Sequence, residues 1–363
     1  GWKTISWSQA FDEAVDGIRR VQREHGKNAM AIYLGNPTVH SLGAMTSGQL
    51  FLRSVRTRNR YSATSVDQLP HQLAGQQMFG NQLLIPVPDV DRTQLLVILG
   101  GNPLVSNGSL MTAPDMKRRI TAIHERGGRV LVVDPRRTRS AKHAGEHLFI
   151  RPGTDPLFLL AILHTLFEDG LVDLGGVASV IDGLADLEAL VRPYSPQAVS
   201  EETGIAASVI VELARAAAAS PSAVFYGRFG LCTQRFGGLN LWLLTLINIA
   251  TGNLDRPGGA MFTTPAFDPS GLSSSWAACR PSATRIAMGR PGLDVHSPSP
   301  SAGGRGGAPS GVRATTCTVS PCTCVAFARA SGPSTDRGVN PQTASSGPAH
   351  EGLSRAFVIT GAA

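Results

Sequence analysis

No run of about 18 consecutive apolar residues occurs anywhere in the chain, so nothing in it reads as a membrane-spanning helix. The opening GWKTISW has neither the basic end nor the apolar stretch of a signal peptide, and it lacks an initiator Met, so the true N-terminus is expected upstream. Cysteine is nearly absent from the body of the chain. Of the five, Cys279, Cys317, Cys322 and Cys324 lie beyond Pro269, which leaves Cys232 alone. That excludes a disulfide framework for the folded part and points to a reducing, cytoplasmic setting. Charge is scarce at 16%, and the net +7 does not mark a basic face: beyond Pro269 there are eight Arg against three acids, so the body is close to balanced and a nucleic-acid partner is not expected. No GxGxxG follows the first strand-like run and no GxxxxGK[ST] occurs, which argues against a plain NAD site and a P-loop.

What is present is 42% hydrophobic over 363 residues, enough to bury the cores of two or three domains. The stretch Leu95 to Arg139 organises the rest. It reads LLVILGGNPLVSN, then a polar helical segment PDMKRRITAIHERGG, then RVLVVDPRRTR. Two short runs of Val, Ile and Leu joined by one helix describe a parallel βαβ unit covered on both faces. After the strands come Gly100-Gly101-Asn102-Pro103 and Asp134-Pro135-Arg136-Arg137. In open α/β sheets ligands bind outside the carboxyl ends of strands, so both loops lie where a nucleotide would sit, although each taken alone reads more readily as an ordinary turn.

The same alternation runs through the chain. Residues 6–25 predict a helix opened by a Ser6–Gln9 capping box and stopped at Gly26. Ala29 to Gly35 predicts a strand that runs into Asn36-Pro37, and Leu42 to Val55 a helix packing through Leu50, Phe51 and Ser54. Tyr61 to Gly80 has no clean period; it carries Asp67 and His71, and Pro70 blocks one continuous helix across it. A strand at HLFIRPG leads through Gly153 and Thr154 to a helix opened by Asp155-Pro156. Residues 171–221 read as helical, Ala223 to Gly227 as a strand, and FGGLNLWLLTLINIATGN as a long apolar helix closing on Gly252-Asn253. Strand and helix in alternation imply doubly wound parallel sheets. From about Ser270, Ser, Gly, Pro, Ala, Arg and Thr dominate without apolar period, which predicts disorder and reads as either a natural low-complexity tail or, preferably, an out-of-frame translation of a GC-rich gene.

In their order and spacing GGNPLVSN, VVDPRRTRSA, IRPGTDPLFLLAIL, YGRFGLCTQRFGG and LTLINIATGNLDRPGGAMF resemble the molybdopterin guanine dinucleotide oxidoreductases, the family of dimethyl sulfoxide reductase, formate dehydrogenase and nitrate reductase, over about residues 1–267. The resemblance implies two α/β domains, one inserted in the other: a split domain of 1–63 and 222–269 around an inserted domain of 64–221, followed by the disordered tail at 270–363. It implies molybdenum or tungsten on a pterin guanine dinucleotide, contacted by Asn36, Gly101, Asn102, Asp134, Arg136, Gly153, Asp155, Gln234 and Asn253. From the residues alone Asp155 reads as well as a helix N-cap, and Asn253 as a C-cap. Asp67 falls where the family places a protein ligand to the metal, and a carboxylate is a sensible hard ligand; a turn role stays open. His71 is expected either to assist proton movement or to be a hydrogen-bonded structural His. Gln68 after Asp67 differs from the His of formate dehydrogenases, which points away from formate. A [4Fe–4S] cluster, which needs four Cys, is expected only in a complete family member with further domains. The implied activity is two-electron or oxygen-atom transfer with a small-molecule substrate and an electron-transfer partner. The rival readings are a non-catalytic nucleotide-binding remnant and a two-lobed protein that binds a small ligand.

Overall fold

The computed structural model describes residues 2–264, apart from 36, 37, 39, 40, 109 and 112, together with the backbone of 286–287. The expected tail, with Cys279, Cys317, Cys322 and Cys324, otherwise lies outside the described residues. These residues fall into two compact units, one reaching to Ser65 and the other beginning at Val66.

In the first unit helix α1 (Trp7–His25) opens where Ser6 Oγ accepts a hydrogen bond from the Gln9 amide at 3.2 Å, half of the expected capping box. Strand β1 (Ala31–Leu34), helix α2 (Leu42–Val55) and strand β2 (Asn59–Ser62) follow, and the strands pair in parallel with Tyr33 opposite Tyr61. The inward residues of α2 are Leu52 and Val55, while Leu50 and Phe51 point out, contrary to the sequence expectation. The reason lies in what grips the helix end. Arg60 Nη2 donates to the Leu52 carbonyl at 2.9 Å and Gln22 Nε2 to the Val55 carbonyl at 2.6 Å, and these fix that face inward.

Helix α3 (Thr64–Asp67) straddles the boundary, and α4 (Leu69–Phe79) opens the second unit. The segment with no clean period is thus helical on both sides of Gln68. Pro70 sits in the first turn of α4, where a missing N–H costs nothing, so it separates the two helices and starts the second. Then come β3 (Val87–Pro88), β4 (Leu95–Leu99), α5 (Pro103–Ser106), α6 (Met116–Glu125), β5 (Arg129–Val133), α7 (Arg139–Ala144), β6 (Glu146–Leu148) and α8 (Asp155–Glu168). Strand β7 (Ile181–Asp182) and helices α9 (Leu184–Val191), α10 (Pro196–Thr203) and α11 (Ala207–Ala219) lead to β8 (Ala223–Gly227), α12 (Phe229–Cys232), α13 (Gly237–Ala250) and β9 (Ala260–Met261). A last two-residue strand, β10 (Ile286–Ala287), pairs in parallel with β7.

The centre of this unit is a four-stranded parallel sheet in the order β6-β5-β4-β8. Leu95 lies opposite Arg129 on one side and Ala223 on the other, and Leu99 opposite Val133 and Gly227. Every residue of β4 and β8 is buried, as expected of parallel strands covered on both faces. Helix α13 packs on α4, α8 and β8, and its apolar residues join those of the strands in one core. Each buried Leu, Ile or Val there contributes roughly 1.5–3 kcal/mol relative to exposure. The β8 backbone pairs with β4 along its full length, so residues 223–261 share the sheet and core of the compact unit that begins at Val66.

Candidate functional site

Strand order makes the edge between β4 and β8 special. From β4 the chain winds outward through β5 to β6, then returns across the sheet to add β8 on the other side of β4. At such a switch point the loops leaving adjacent strands part in opposite directions and open a crevice at the carboxyl ends. Here the two loops clasp each other across it. Arg228 N donates to the Leu99 carbonyl at 3.1 Å, and Gly230 N to the Gly100 carbonyl at 2.9 Å. Gly100 has φ +55, and a Cβ on it would lie 2.8 Å from the Gly230 Cα, so this approach requires glycine on both strands of the clasp. Gly101 is buried, and a Cβ there would meet Ile98 Cγ2 at 2.9 Å and Arg228 Cβ at 3.4 Å. Its smallness therefore makes room for the Arg228 side chain.

Arg228 is the centre of the polar cluster beneath the clasp. Its side chain is only 14% exposed, and Nη2 lies 3.2 Å from Oδ1 of Asp67, whose side chain is 30% exposed. The N–H directions miss, so Oδ1 accepts no hydrogen bond, and Arg228 Nη1 and His71 Nε2 are likewise buried without a partner. Burial, aided by the Arg228 charge and opposed by the Gly227 carbonyl, pushes the His71 imidazole down from 6.5 to about 3. His71 is therefore neutral at pH 7, which leaves no imidazolium to act as a proton donor. Burial also pushes the Cys232 thiol up to about 12, against the pull of Arg228, and raises the Tyr226 phenol above its ordinary value. Cys232 is thus a protonated thiol at neutral pH.

A second network ties the loop after β8 to the start of α8. Gln234 Nε2 donates to Asp155 Oδ2 and to the Gly230 carbonyl, both at 2.7 Å, and Gln234 Oε1 accepts from Asn240 Nδ2 at 3.3 Å. Both hydrogens of the Gln234 amide are thereby engaged within the protein. Asp155 is 3% exposed, and burial, more than its neighbours, raises its carboxyl above the usual carboxylate range. Asn102 Oδ1 accepts from Ser140 Oγ at 2.7 Å, joining the β4 loop to α7. Asp134 Oδ1 accepts from the Arg136 amide at 2.8 Å in a tight turn, with the Arg136 side chain exposed, and Gly153 is exposed with φ +87.

Of the residues singled out from sequence, Asp67, His71, Gly101, Asn102, Asp134, Arg136, Gly153, Asp155 and Gln234 lie in the loops and helix starts around the carboxyl ends of the sheet. Asn253 lies apart from them, after α13. Its side chain, 1% exposed, accepts from the amide of Ala223 at 3.1 Å and donates to the Thr251 carbonyl and hydroxyl at 2.8 and 2.9 Å. Ala223 is the first residue of β8, so Asn253 serves the opposite end of the sheet. Asn36 lies outside the described residues. Sequence reasoning passed over Arg228, whose signal was a charged residue directly after a wholly apolar strand. It also passed over Ser140, which carries no such signal. Among the described residues no group of three or more His, Cys, Asp or Glu converges as a metal site.

The family model described as molybdopterin oxidoreductase matches residues 1–302. The chain belongs to the molybdopterin oxidoreductase family. It is 27% identical over 261 residues to formate dehydrogenase H of Escherichia coli, a match covering 70% of this chain and 35% of that protein. It is 24% identical over 289 residues to the dimethyl sulfoxide/trimethylamine N-oxide reductase of Cereibacter sphaeroides, covering 75% and 35%. The fold is shared with acetylene hydratase from Pelobacter acetylenicus, with a TM-score of 0.56, 20% identity and coverage of 73% of this chain and 35% of that one. The chain thus spans about a third of the length of these three proteins. No helix among the described residues is long and apolar enough to cross a membrane.

Proposed function

We propose that this chain is the cofactor-binding portion of a molybdopterin-dependent oxidoreductase, holding a pterin guanine dinucleotide at the carboxyl ends of β4, β5 and β8, with Asp67 as the protein ligand to molybdenum or tungsten. The observation that carries the reading is Asp67 itself: a carboxylate at the β4/β8 switch point whose Oδ1 is buried and accepts no hydrogen bond. A hard oxygen donor so placed suits an oxidised metal centre that brings its own sulfur ligands, and the residues present fit the group. The backbone of Gly100 and Gly101, the turn at Asp134 and the start of α8 would hold the dinucleotide. An anionic phosphate gains there from helix N-terminal amides and from glycines that let backbone approach.

When bound, the metal supplies two-electron or oxygen-atom chemistry, and the protein supplies orientation and access. Arg228 sets a positive charge beside Asp67, while His71, being neutral, is suited to accept a hydrogen bond rather than to donate a proton. The whole enzyme's substrate is a small molecule on this reading, and an electron-transfer partner would complete the reaction.

The test is cofactor content. The chain produced in a host that makes the pterin cofactor is analysed for molybdenum, tungsten and oxidised pterin derivatives. The expected result is metal and pterin in the wild type, with Asp67→Ala keeping the pterin while losing most of the metal. Neither metal nor pterin in the wild type would refute the proposal.

A further inference from the structure

The near balance of charge in the body of the chain is the sum of two unlike parts. Residues 1–65 carry nine Lys and Arg against four Asp and Glu, whereas residues 66–269 carry sixteen against nineteen. Within the first unit the excess is itself uneven: eight of the cations lie between Arg19 and Arg60, with Glu24 the only acid in that span. The fold gathers them at one end. Gln22 Nε2 donates to the Val55 carbonyl at 2.6 Å, the Arg58 amide to Asn28 Oδ1 at 3.0 Å, and Asn59 Nδ2 to the Asn28 carbonyl at 2.7 Å. The end of α1 and the residues after it therefore lie against the end of α2 and the start of β2. Arg23 and Lys27 are thereby set near Arg56 and Arg58, with Arg19, Arg20 and Arg53 within about one helical turn. All seven are exposed. Arg60, the eighth, is held by the carbonyls of Leu52 and Thr57. Every Arg–carboxylate ion pair among the described residues joins residues from Asp67 onward, so none of the seven has a carboxylate partner. The carbonyl ends of α1 and α2 account for part of the group, but each presents only about half a negative charge, which one or two cations would offset.

We propose that this end of the first unit is a docking surface for a protein partner that presents a compact cluster of carboxylates. Six of the seven cations are Arg, whose planar fork matches a carboxylate bidentately. The extent of the charge decides the class of partner. Asp12, Glu13 and Asp16 stand on the same helix, and Arg23 is only about 10 Å along α1 from Asp16. A nucleic-acid strand or an anionic membrane, whose charge extends further than that, would meet these three carboxylates. A carboxylate cluster on a protein surface would not. The exposed aromatic pair Trp7 and Phe11 lies beyond the acids at the other end of α1, so no apolar anchor adjoins the cations as it does on a membrane-binding helix. The inference needs neither metal nor pterin, so its failure would leave the cofactor reading standing.

The experiment measures the anisotropy of fluorescein-labelled hexaglutamate on addition of the full chain at about 50 mM salt, where exposed charges are little screened. Saturable binding is expected, and the triple variant Arg53→Gln/Arg56→Gln/Arg58→Gln should weaken it by roughly tenfold or more. Lys117→Gln/Arg192→Gln, which removes two exposed cations of the second unit, should leave it unchanged. An oligothymidylate of equal charge, and vesicles with roughly one third phosphatidylserine, should bind more weakly than the peptide. No binding of the peptide, or a smaller loss in the triple variant, would overturn the proposal. Tighter binding of the oligonucleotide would overturn it in favour of nucleic acid, and tighter binding of the vesicles in favour of a membrane surface. No side-chain hydrogen bond is lost in the triple variant. Should it still not fold, Arg19→Gln/Arg20→Gln/Arg23→Gln on α1 is held to the same roughly tenfold loss.

Discussion

Replacing Gly100 by Ala sets two costs against each other in a way that can be separated. The backbone at Gly100 has φ +55, where a Cβ costs roughly 1–2 kcal/mol. The added carbon would also stand 2.8 Å from the Gly230 Cα and 2.9 Å from its carbonyl carbon, backbone that can yield only by opening the clasp. Forcing a methyl into such a place costs typically about 1–3 kcal/mol, so Gly100→Ala should lose about 2–5 kcal/mol in all. Gly153→Ala is the control: φ is +87 but nothing lies within 4 Å of the new Cβ, so only the backbone cost of roughly 1–2 kcal/mol remains. Gly230→Ala carries the clash without a left-handed backbone. Because Gly100 and Gly230 meet in one contact, the double variant should cost less than the two singles together. Urea unfolding followed by Trp242, which is buried in α13, reads this unit directly. With a slope of about 2 kcal/mol per molar urea, the midpoint for Gly100→Ala should fall by roughly 1–2.5 M. A Gly100→Ala midpoint no lower than that of Gly153→Ala would refute the close approach and, with it, the crevice geometry at the switch point.

Other outcomes follow from the same structure. His71 titrates near 3 in the folded state and near 6.5 when unfolded, so the stability it confers is complete above 6.5 and is lost as pH falls toward 3. Between pH 6.5 and 5 the wild type should lose about 1–2 kcal/mol more than His71→Gln in paired urea titrations, and equal slopes would show that His71 is not buried neutral. Asp155 has a raised carboxyl, so ionising it opposes folding as pH rises above the usual carboxylate range. Asp155→Asn keeps an acceptor for Gln234 and should match or exceed wild-type stability at pH 7, whereas Asp155→Ala strands one Gln234 hydrogen and should lose roughly 1–3 kcal/mol by the same assay. Asn253→Ala removes three buried hydrogen bonds at the start of β8 and should cost about 2–4 kcal/mol while the pterin content per folded chain stays unchanged; a selective loss of pterin would restore Asn253 to the cofactor site.

Several levels of this molecule could be read without coordinates because they rest on local chemistry. Apolar runs of five residues at Leu95–Leu99 and Ala223–Gly227 leave few alternatives to buried strands, and GGNP and DPRR after two strands mark ligand-side loops whatever the fold around them. The order of such motifs along the chain sufficed for the family. Residues 61–80 resisted because α4 buries His71, Gln72, Ala74, Gly75 and Met78 around more than one face, so no amphipathic period survives to be seen.

What only the tertiary structure decided is which neighbour each element takes. Strand β8 carries no mark that it adds beside β4 rather than beside β1, since an all-apolar strand satisfies any parallel neighbour. That choice moves residues 223–261 into the second unit, creates the switch point, and brings Arg228 onto Asp67 across 161 positions of sequence. It also sends Asn253 to the far end of the sheet, where its side chain braces the start of β8. Short-range pattern determines which segments are strand, helix or ligand loop, because those preferences are local. Long-range pairing determines which polar side chains meet, because backbone hydrogen bonds between strands are the same for any sequence.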